Sequence, residues 1–403
     1  MHLRLATLVV LTCVAAGLAT ACKPAPRRAA HLPGQSAEFV PPEPIIPWAP
    51  RQYIAYRADR PLTMDGRLDE PAWQAAAWTE DFVDILGPSK PAPRFRTRAK
   101  ILWDSTNLYI GAELSDPDVW ATITERDAVI FRDNDFEVFI DPDGDTQSYY
   151  ELEVNALGTA WDLYLPKAYR DQGHAMNGWD IHGLGVGVRV DGTINHPGDA
   201  DRGWTVELAL PWAALRDAAN TASPPKPGDQ WRMNFSRVEW QTRVDSTAGG
   251  AGAAPAPRGR APVRRASPHY AKLTDPATGK PLPEDNWLWT PQGVVNVHYP
   301  EMWGFVQFSS RVAGQGTDLF VVHPEDALKW MLRVLYYRER AFHAAHGFWT
   351  DDLTKLRLTQ PPLPGRPWPP LIAVTPSLYE ASLPAPGGGR VILTSDGAVQ
   401  AFR

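Results

Sequence analysis

The sequence predicts a mainly β fold: an antiparallel β-sandwich of jelly-roll or immunoglobulin-like type, followed by a small α+β C-terminal module. Three observations carry this. Asp133–Asp162, DNDFEVFIDPDGDTQSYYELEVNALGTAWD, alternates with a period of two on both sides of an acidic, glycine-containing turn. Short strand-like runs recur along the chain between Asp, Gly, Pro and Asn clusters. A long apolar stripe of helical period appears only near the C-terminus.

Taken in order, the chain opens with Arg4 and a mostly apolar run from Leu5 to Ala21, ending in small residues before Cys22. This reads as a signal peptide over 1–21, although the run is long enough for a retained membrane anchor to be the alternative. Leu18-Ala19-Thr20-Ala21-Cys22 resembles a bacterial lipobox with its leucine one place early. The resemblance implies lipidation at Cys22 and a lipid-anchored protein of the cell envelope. Lys23 lacks the aspartate associated with inner-membrane retention, so the outer membrane is expected. The cysteines are Cys13 and Cys22 alone, which rules out a disulfide framework or a cysteine metal site. Residues 22–51, rich in Pro and Ala, read as an extended tether. A net charge of −6 gives no polyanion-binding signature, so nucleic acid is not an expected partner.

The sandwich is expected over 52–310. Its strands are Tyr53–Arg57, Arg96–Trp103, Leu108–Leu114, Asp135–Asp141, Tyr149–Val154, Val186–Val190, Trp204–Leu210, Trp231–Trp240 and Gly304–Phe308, with short helical turns at Glu70–Trp78 and Pro211–Ala218. Residues 242–267, dominated by Ala, Gly, Pro and Arg, cannot build a core and read as a disordered insertion. Its Arg258, Arg260, Arg264 and Arg265 either solvate the loop or touch anionic lipid or acidic polysaccharide. The module at 311–403 opens with a helix over Pro324–His346. Leu328, Met331, Leu332, Leu335 and Phe342 form its stripe, Pro324 its first turn and Gly347 its stop. Two strands follow, Leu371–Val374 and Arg390–Thr394. The pattern YYRERAFHAAHGFWTDDLTKL loosely resembles the helix-then-sheet units of pilin-like modules.

Several motifs together carry a family resemblance. Met64–Trp73 (MDGRLDEPAW), the DNDFEVFIDPDGD and YYELEVNALGTAWD strands, Gly203–Trp212 (GWTVELALPW), Trp231–Trp240 (WRMNFSRVEW), Asn286–Pro291 (NWLWTP) and Trp303–Phe305 resemble family 9-like carbohydrate-binding modules. The resemblance spans Tyr53–Phe308. It implies a sandwich that holds sugar between two tryptophans, fixes hydroxyls with charged and amide groups, and carries structural calcium. Independently, a pyranose offers apolar C–H faces to aromatic rings and hydroxyls to carboxylates, Arg and Asn.

On that basis Trp120, in the loop after Asp116-Pro117-Asp118, is the expected first stacking ring. Trp287 or Trp289 supplies the second, with Trp240 as substitute. Glu137 lies on the sheet face opposite the apolar residues, where it meets sugar hydroxyls or else pairs with Arg237. Arg126, Asn155 and Arg237 are further ligand contacts, although Asn155 also suits a turn. Asp141, Asp143 and Asp145 offer hard oxygens for calcium, or serve a bland hairpin loop. Asp65, Asp69 and Glu70 are a second such group. Glu151 and Glu153 share a strand face as glycosidase carboxylates do, but no nucleophile–base order, phosphate loop or histidine metal motif accompanies them. The expected function is therefore non-catalytic binding of polysaccharide or oligosaccharide. A structural or assembly role in the envelope is the alternative. A haem domain, using Met176 with His174 or His182, is a weaker one.

Overall fold

The computed structural model of the protein describes residues 39–246 and 268–402. Cys22 and the cluster Arg258, Arg260, Arg264 and Arg265 lie outside the described residues. The chain runs β1 (Gln52–Arg57), α1 (Pro71–Ala75), β2 (Val83–Asp84), β3 (Thr97–Trp103), β4 (Asn107–Ser115), β5 (Asp135–Asp141), β6 (Gln147–Asn155) and β7 (Ala160–Lys167). It continues through β8 (Gly185–Asp191), β9 (Gly203–Pro211), β10 (Gln230–Glu239), β11 (Thr242–Asp245), β12 (His269–Lys272), β13 (Asp285–Leu288) and β14 (Gly304–Val312). The tail holds α2 (Pro324–His346), β15 (Leu371–Val374), β16 (Tyr379–Pro384), β17 (Arg390–Thr394) and β18 (Val399–Phe402).

One large sheet, ordered β7-β6-β5-β10-β14-β1-β3-β4-β9-β8, curls so that its two halves face each other. Alternation explains the core between them. Phe136, Val138 and Ile140 of β5 and Trp231, Met233 and Phe235 of β10 meet Ile101 of β3, Leu108 and Ile110 of β4, and Val206 and Leu208 of β9. The sheet is mixed rather than wholly antiparallel, because β1 runs parallel to both its neighbours, β14 and β3. That central strand joins the two halves.

Two of the sequence motifs are locked together by one carboxylate. Glu207 of β9, fully buried, accepts from the amides of Asp65 (3.0 Å) and Gly66 (2.6 Å) and from the Trp73 indole (2.7 Å). Gly66 sits at φ +80°, and a Cβ there would lie 2.5 Å from the Arg189 backbone nitrogen, so only glycine allows this approach.

The C-terminal module packs on the sandwich. Arg333 of α2, with no exposed surface, donates to Thr146 Oγ1 (2.5 Å) and to the Gly397 carbonyl (2.6 Å). Burial would raise the Glu301 carboxyl, but Arg170, 2.7 Å away, and Arg333 hold it down at about 2. The expected tether is also attached from residue 39 onward. Trp48 stacks on Trp330 at 6.0 Å, Glu43 pairs with Arg338 at 2.8 Å, and the Ile45 amide donates to the Gly293 carbonyl. Among the described residues no helix is long and apolar enough to cross a membrane.

The expected insertion begins too early. Thr242–Asp245 pairs antiparallel with His269–Lys272 to form a small arm. Two β-branched residues, Thr242 and Val244, suffice for a short strand.

Candidate functional site

The loop between β4 and β5 carries Trp120 and is fastened by side chains that accept its amides. Asp201 takes the Val119 amide at 2.9 Å, Asn195 the Ala121 amide at 3.0 Å, and Asp133 those of Thr122 (2.7 Å) and Ile123 (2.8 Å). Asn155 in turn donates to Asp133 (3.1 Å) and to the Ile123 carbonyl (2.9 Å), and accepts from Leu157 and Thr159. Asn155 is fully buried with its amide committed. This corrects the expectation of a ligand contact: Asn155 positions the loop and its own turn.

Beside Trp120 lies a cleft of about 360 Å³ lined by Thr122, Arg132, Asp133, Tyr270 and Lys272 as well. The second tryptophan near it is Trp240, at the end of β10. Its indole donates to the Phe131 carbonyl at 2.9 Å and its amide to Asn134 at 2.8 Å. The Lys272 ammonium sits 3.2 Å from the Trp240 ring centroid and 5.9 Å from that of Trp120. Partial burial lowers its pKa to about 8, although Asp133 and Glu284 pull the other way. The Trp120 Nε1 is buried and has no hydrogen-bond partner among the described residues. Trp120, itself 6 % exposed, Tyr270 and Lys272 thus border the cleft, and Trp240 reaches it only through the Lys272 ammonium.

Trp287 and Trp289 do not reach it. Their faces are spent inside the sandwich: Trp287 is 3 % exposed against Phe95, and Trp289 is fully buried against Phe235, its indole donating to Glu80. Two residues apart, Trp287 and Trp289 both point into the core between the sheet halves. Arg237 is likewise internal. It bridges Asp116 (3.1 Å) and Glu239 (2.7 Å) beneath the Trp287 ring, on the core face of β10. Glu137 lies on the opposite face, opposite Ser236 in register, so the expected Glu137–Arg237 pair does not form. Arg126 is held by Asp162 (2.5 Å) and Asp180 (3.2 Å).

The face expected to be open is closed. Asp135, Glu137, Glu151 and Glu153 are each at most 5 % exposed. Phe139 and Tyr149 on that face lie under Trp303, and Trp303 belongs to the segment leading into β14. Oxygens of Asp135, Glu137 and Glu153 come within 4.8 Å of one another, enough to hold a cation. Burial drives the Glu137 pKa up to about 7, and burial plus like charge drives those of Asp135, Glu151 and Glu153 well above the carboxylate range. Asp141, Asp143 and Asp145 also cluster. Their oxygens accept from the turn itself, including Gly144 and Thr146 amides on Asp141 and the Gln147 amide on Asp145. Asp65 and Glu70 serve local amides, of Arg67 and Thr63 respectively. Met176 is half exposed on the surface.

Missed by the sequence reading were Lys272 and Tyr270, which lie beyond the insertion. The alternation of His269–Lys272 was the available signal, lost against the Ala-Gly-Pro-rich composition before it.

Residues 64–229 match the model of a family described as carbohydrate family 9 binding domain-like. The match ends where β10 begins. No curated protein matches the chain. Among solved structures it is similar to a family 9 carbohydrate-binding module from Caldicellulosiruptor kristjanssonii in complex with cellotriose. Identity is 14%, with 67% of this chain and 99% of that one covered and a TM-score of 0.38. The same figures hold for that module in complex with glucose. A putative carbohydrate-binding protein from Bacteroides uniformis ATCC 8492 is similar at 14% identity, over 65% of this chain and 100% of that one, with a TM-score of 0.41.

Proposed function

We propose that this chain, which carries a family 9-like segment at 64–229, binds carbohydrate without catalysis, and that the sugar enters the cleft beside Trp120 and displaces Lys272 from the neighbouring Trp240 ring. The observation that carries the reading is the Lys272 ammonium lying against one indole and near the other. Two rings about one small cationic group leave the kind of slot that a pyranose fills, its C–H face replacing the ammonium. Such stacking is worth on the order of 1–2 kcal/mol per ring.

Calorimetric titration with glucose, cellotriose and a panel of neutral oligosaccharides tests this. Trp240→Ala should lower affinity by at least about tenfold while leaving the melting temperature nearly unchanged, because Trp240 is only partly buried. Unchanged affinity would place the site elsewhere, and silence of the wild type across the panel would overturn the reading.

Anchoring through a lipidated Cys22 in the outer membrane belongs to the same proposal, supported by the lipobox-like LATAC stretch. Cys22→Ser should leave the protein in the soluble fraction or with its leader uncleaved. An unmodified mature N-terminus at another position, seen by mass spectrometry, would refute it. Structural calcium is proposed at Asp141, Asp143 and Asp145, whose oxygens come within 4.8 Å of one another, to be tested by metal analysis of the purified protein.

A further inference from the structure

The sheet half built from β3, β4, β9 and β8 has an outer face that the neutral-sugar reading does not use. The run Arg96-Thr97-Arg98-Ala99-Lys100 leads into β3, and alternation sends Ala99 and Ile101 into the core and Arg96 and Arg98 to the outer face, where Lys100 is buried against the Trp73 carbonyl. The register then lays one row across four strands. Arg98 of β3 stands opposite Glu113 of β4, Glu113 opposite Thr205 of β9, and Thr205 opposite Arg189 of β8. The two ends of this row are three strand spacings apart, about 14 Å. A groove of about 290 Å³ covers the Glu113, Thr205 and Arg189 part of this row, flanked by Arg67 and Arg202; Arg98 is not in its lining but pairs with Glu113, which is, at 3.2 Å.

The charge does not balance. Glu113 alone answers two guanidiniums, Arg96 at 2.8 Å and Arg98 at 3.2 Å. Arg67 and Arg202 have only the longer, exposed contacts to Asp65 (3.5 Å) and Asp191 (3.4 Å). Arg189 is exposed and forms no ion pair among the described residues. Five guanidiniums therefore face three carboxylates on a chain whose overall charge is −6. Arg98 is also held rigid at one end of the row, stacked 4.1 Å from the Trp78 ring centroid. A preorganised guanidinium presents a planar fork that suits a carboxylate.

We propose that this groove is a second binding site, for an acidic glycan bearing uronate carboxylates. Arg98 and Arg189 each take a carboxylate, and Glu113 between them accepts sugar hydroxyls. A densely charged polyanion fits poorly, since a carboxylate sits mid-row and the whole chain is acidic. The proposal rests on carbohydrate binding as the chain's function but uses different residues from the Trp120–Trp240 cleft.

The test is calorimetric titration of the full chain with tetragalacturonate, cellotriose and inorganic phosphate. Wild type should bind the uronate oligomer, and affinity should fall at least about tenfold in Arg98→Gln/Arg189→Gln and when sodium chloride is raised to about 0.5 M. Arg189→Gln alone, on the exposed edge strand, covers the case where the double variant fails to fold, with a smaller loss expected. Cellotriose binding should be unaffected by either variant. Equal uronate affinity in Arg189→Gln and wild type overturns the proposal. So does full competition by phosphate, which would make the groove a simple anion site. Cellotriose binding without uronate binding removes this site alone, whereas loss of Trp240-dependent binding with uronate binding intact removes the other.

Discussion

Glu137 and its neighbours show how much of a residue's chemistry depends on what covers it. Alternation placed Asp135, Glu137, Glu151 and Glu153 on one face, and they are on one face; burial of that face, where Trp303 packs on Phe139 and Tyr149, turned it from a ligand surface into a proton-holding layer. A group whose folded pKa is raised stabilises the protein below its unfolded pKa and loses that contribution as pH rises through the folded value. For Glu137 the window runs from 4.5 to about 7, and the other three shift in the same direction. His298 opposes them, since burial lowers its pKa to about 3 and its neutral form favours higher pH. Four carboxylates outweigh one imidazole, so the melting temperature should be higher at pH 5 than at pH 8. A midpoint flat or rising over that range would show that these carboxylates are ionised in the fold. Lys272 gives a second residue-level expectation. As an occupant of the aromatic slot held by about 0.5–1 kcal/mol of cation–π attraction, its replacement in Lys272→Met should tighten neutral-sugar binding two- to fivefold. Wild-type affinity should also rise as pH passes about 8, where the amine loses its charge. Weaker binding in Lys272→Met would make it a sugar contact instead.

Elements were legible where one pattern decided them. Each of the nine expected sandwich strands overlaps an observed one, and α2 begins and ends where Pro324 and Gly347 indicated, the latter at φ +77°. What escaped were strands whose pattern was broken or brief. β7 carries a buried aspartate, Asp162, and Pro166 among its apolar residues, and β13 and β2 are four and two residues long. β16 and β18 complete the tail sheet around the two expected strands. The cleft was half legible: Trp120 was named, and Trp240 only as a substitute, because pairing across the residues after β10 cannot be read from local sequence. Glu207 tests the logic of the motifs. Glu207→Ala leaves two amides and an indole unpartnered, so chemical denaturation should show a loss of about 3 kcal/mol. A loss under 1 kcal/mol would mean that the MDGRLDEPAW segment is not held by it.

At the scale of the molecule, the sandwich and the tail share their largest polar investment. Arg170, Glu301 and Arg333 come from β7's trailing loop, the approach to β14, and α2, and all are essentially buried. Tyr299 and Met302 pack in the same cluster as Leu328, Met331 and Leu335. A chain ending at Gln315 removes α2's side of both. The expected result is an insoluble product or a melting temperature lower by several degrees, because a buried carboxylate loses one of its guanidiniums. A soluble truncation melting with the full chain would restore the tail to independent status. The sequence shows the α2 stripe but not its breadth: Arg333, Tyr336, Tyr337 and Glu339 are buried too, since the helix is covered by the sandwich and by β16–β18 at once.

The strap that lies over α2 has a mechanical meaning. If the protein is held at its N-terminal side, a pull on the described residues reaches Phe39 and Pro42 first and then Glu43, Ile45 and Trp48, whose contacts to Arg340, Tyr299, Arg338, Gly293 and Trp330 are separate from one another. They would yield one after another. The next segment is β1, hydrogen-bonded in parallel to β14 and to β3, and a pull along it loads its ladders in shear, many bonds together. The strap is thus a compliant lead and β1 the point of resistance, so stretching from the N-terminus should release a short length at low force well before the sandwich opens.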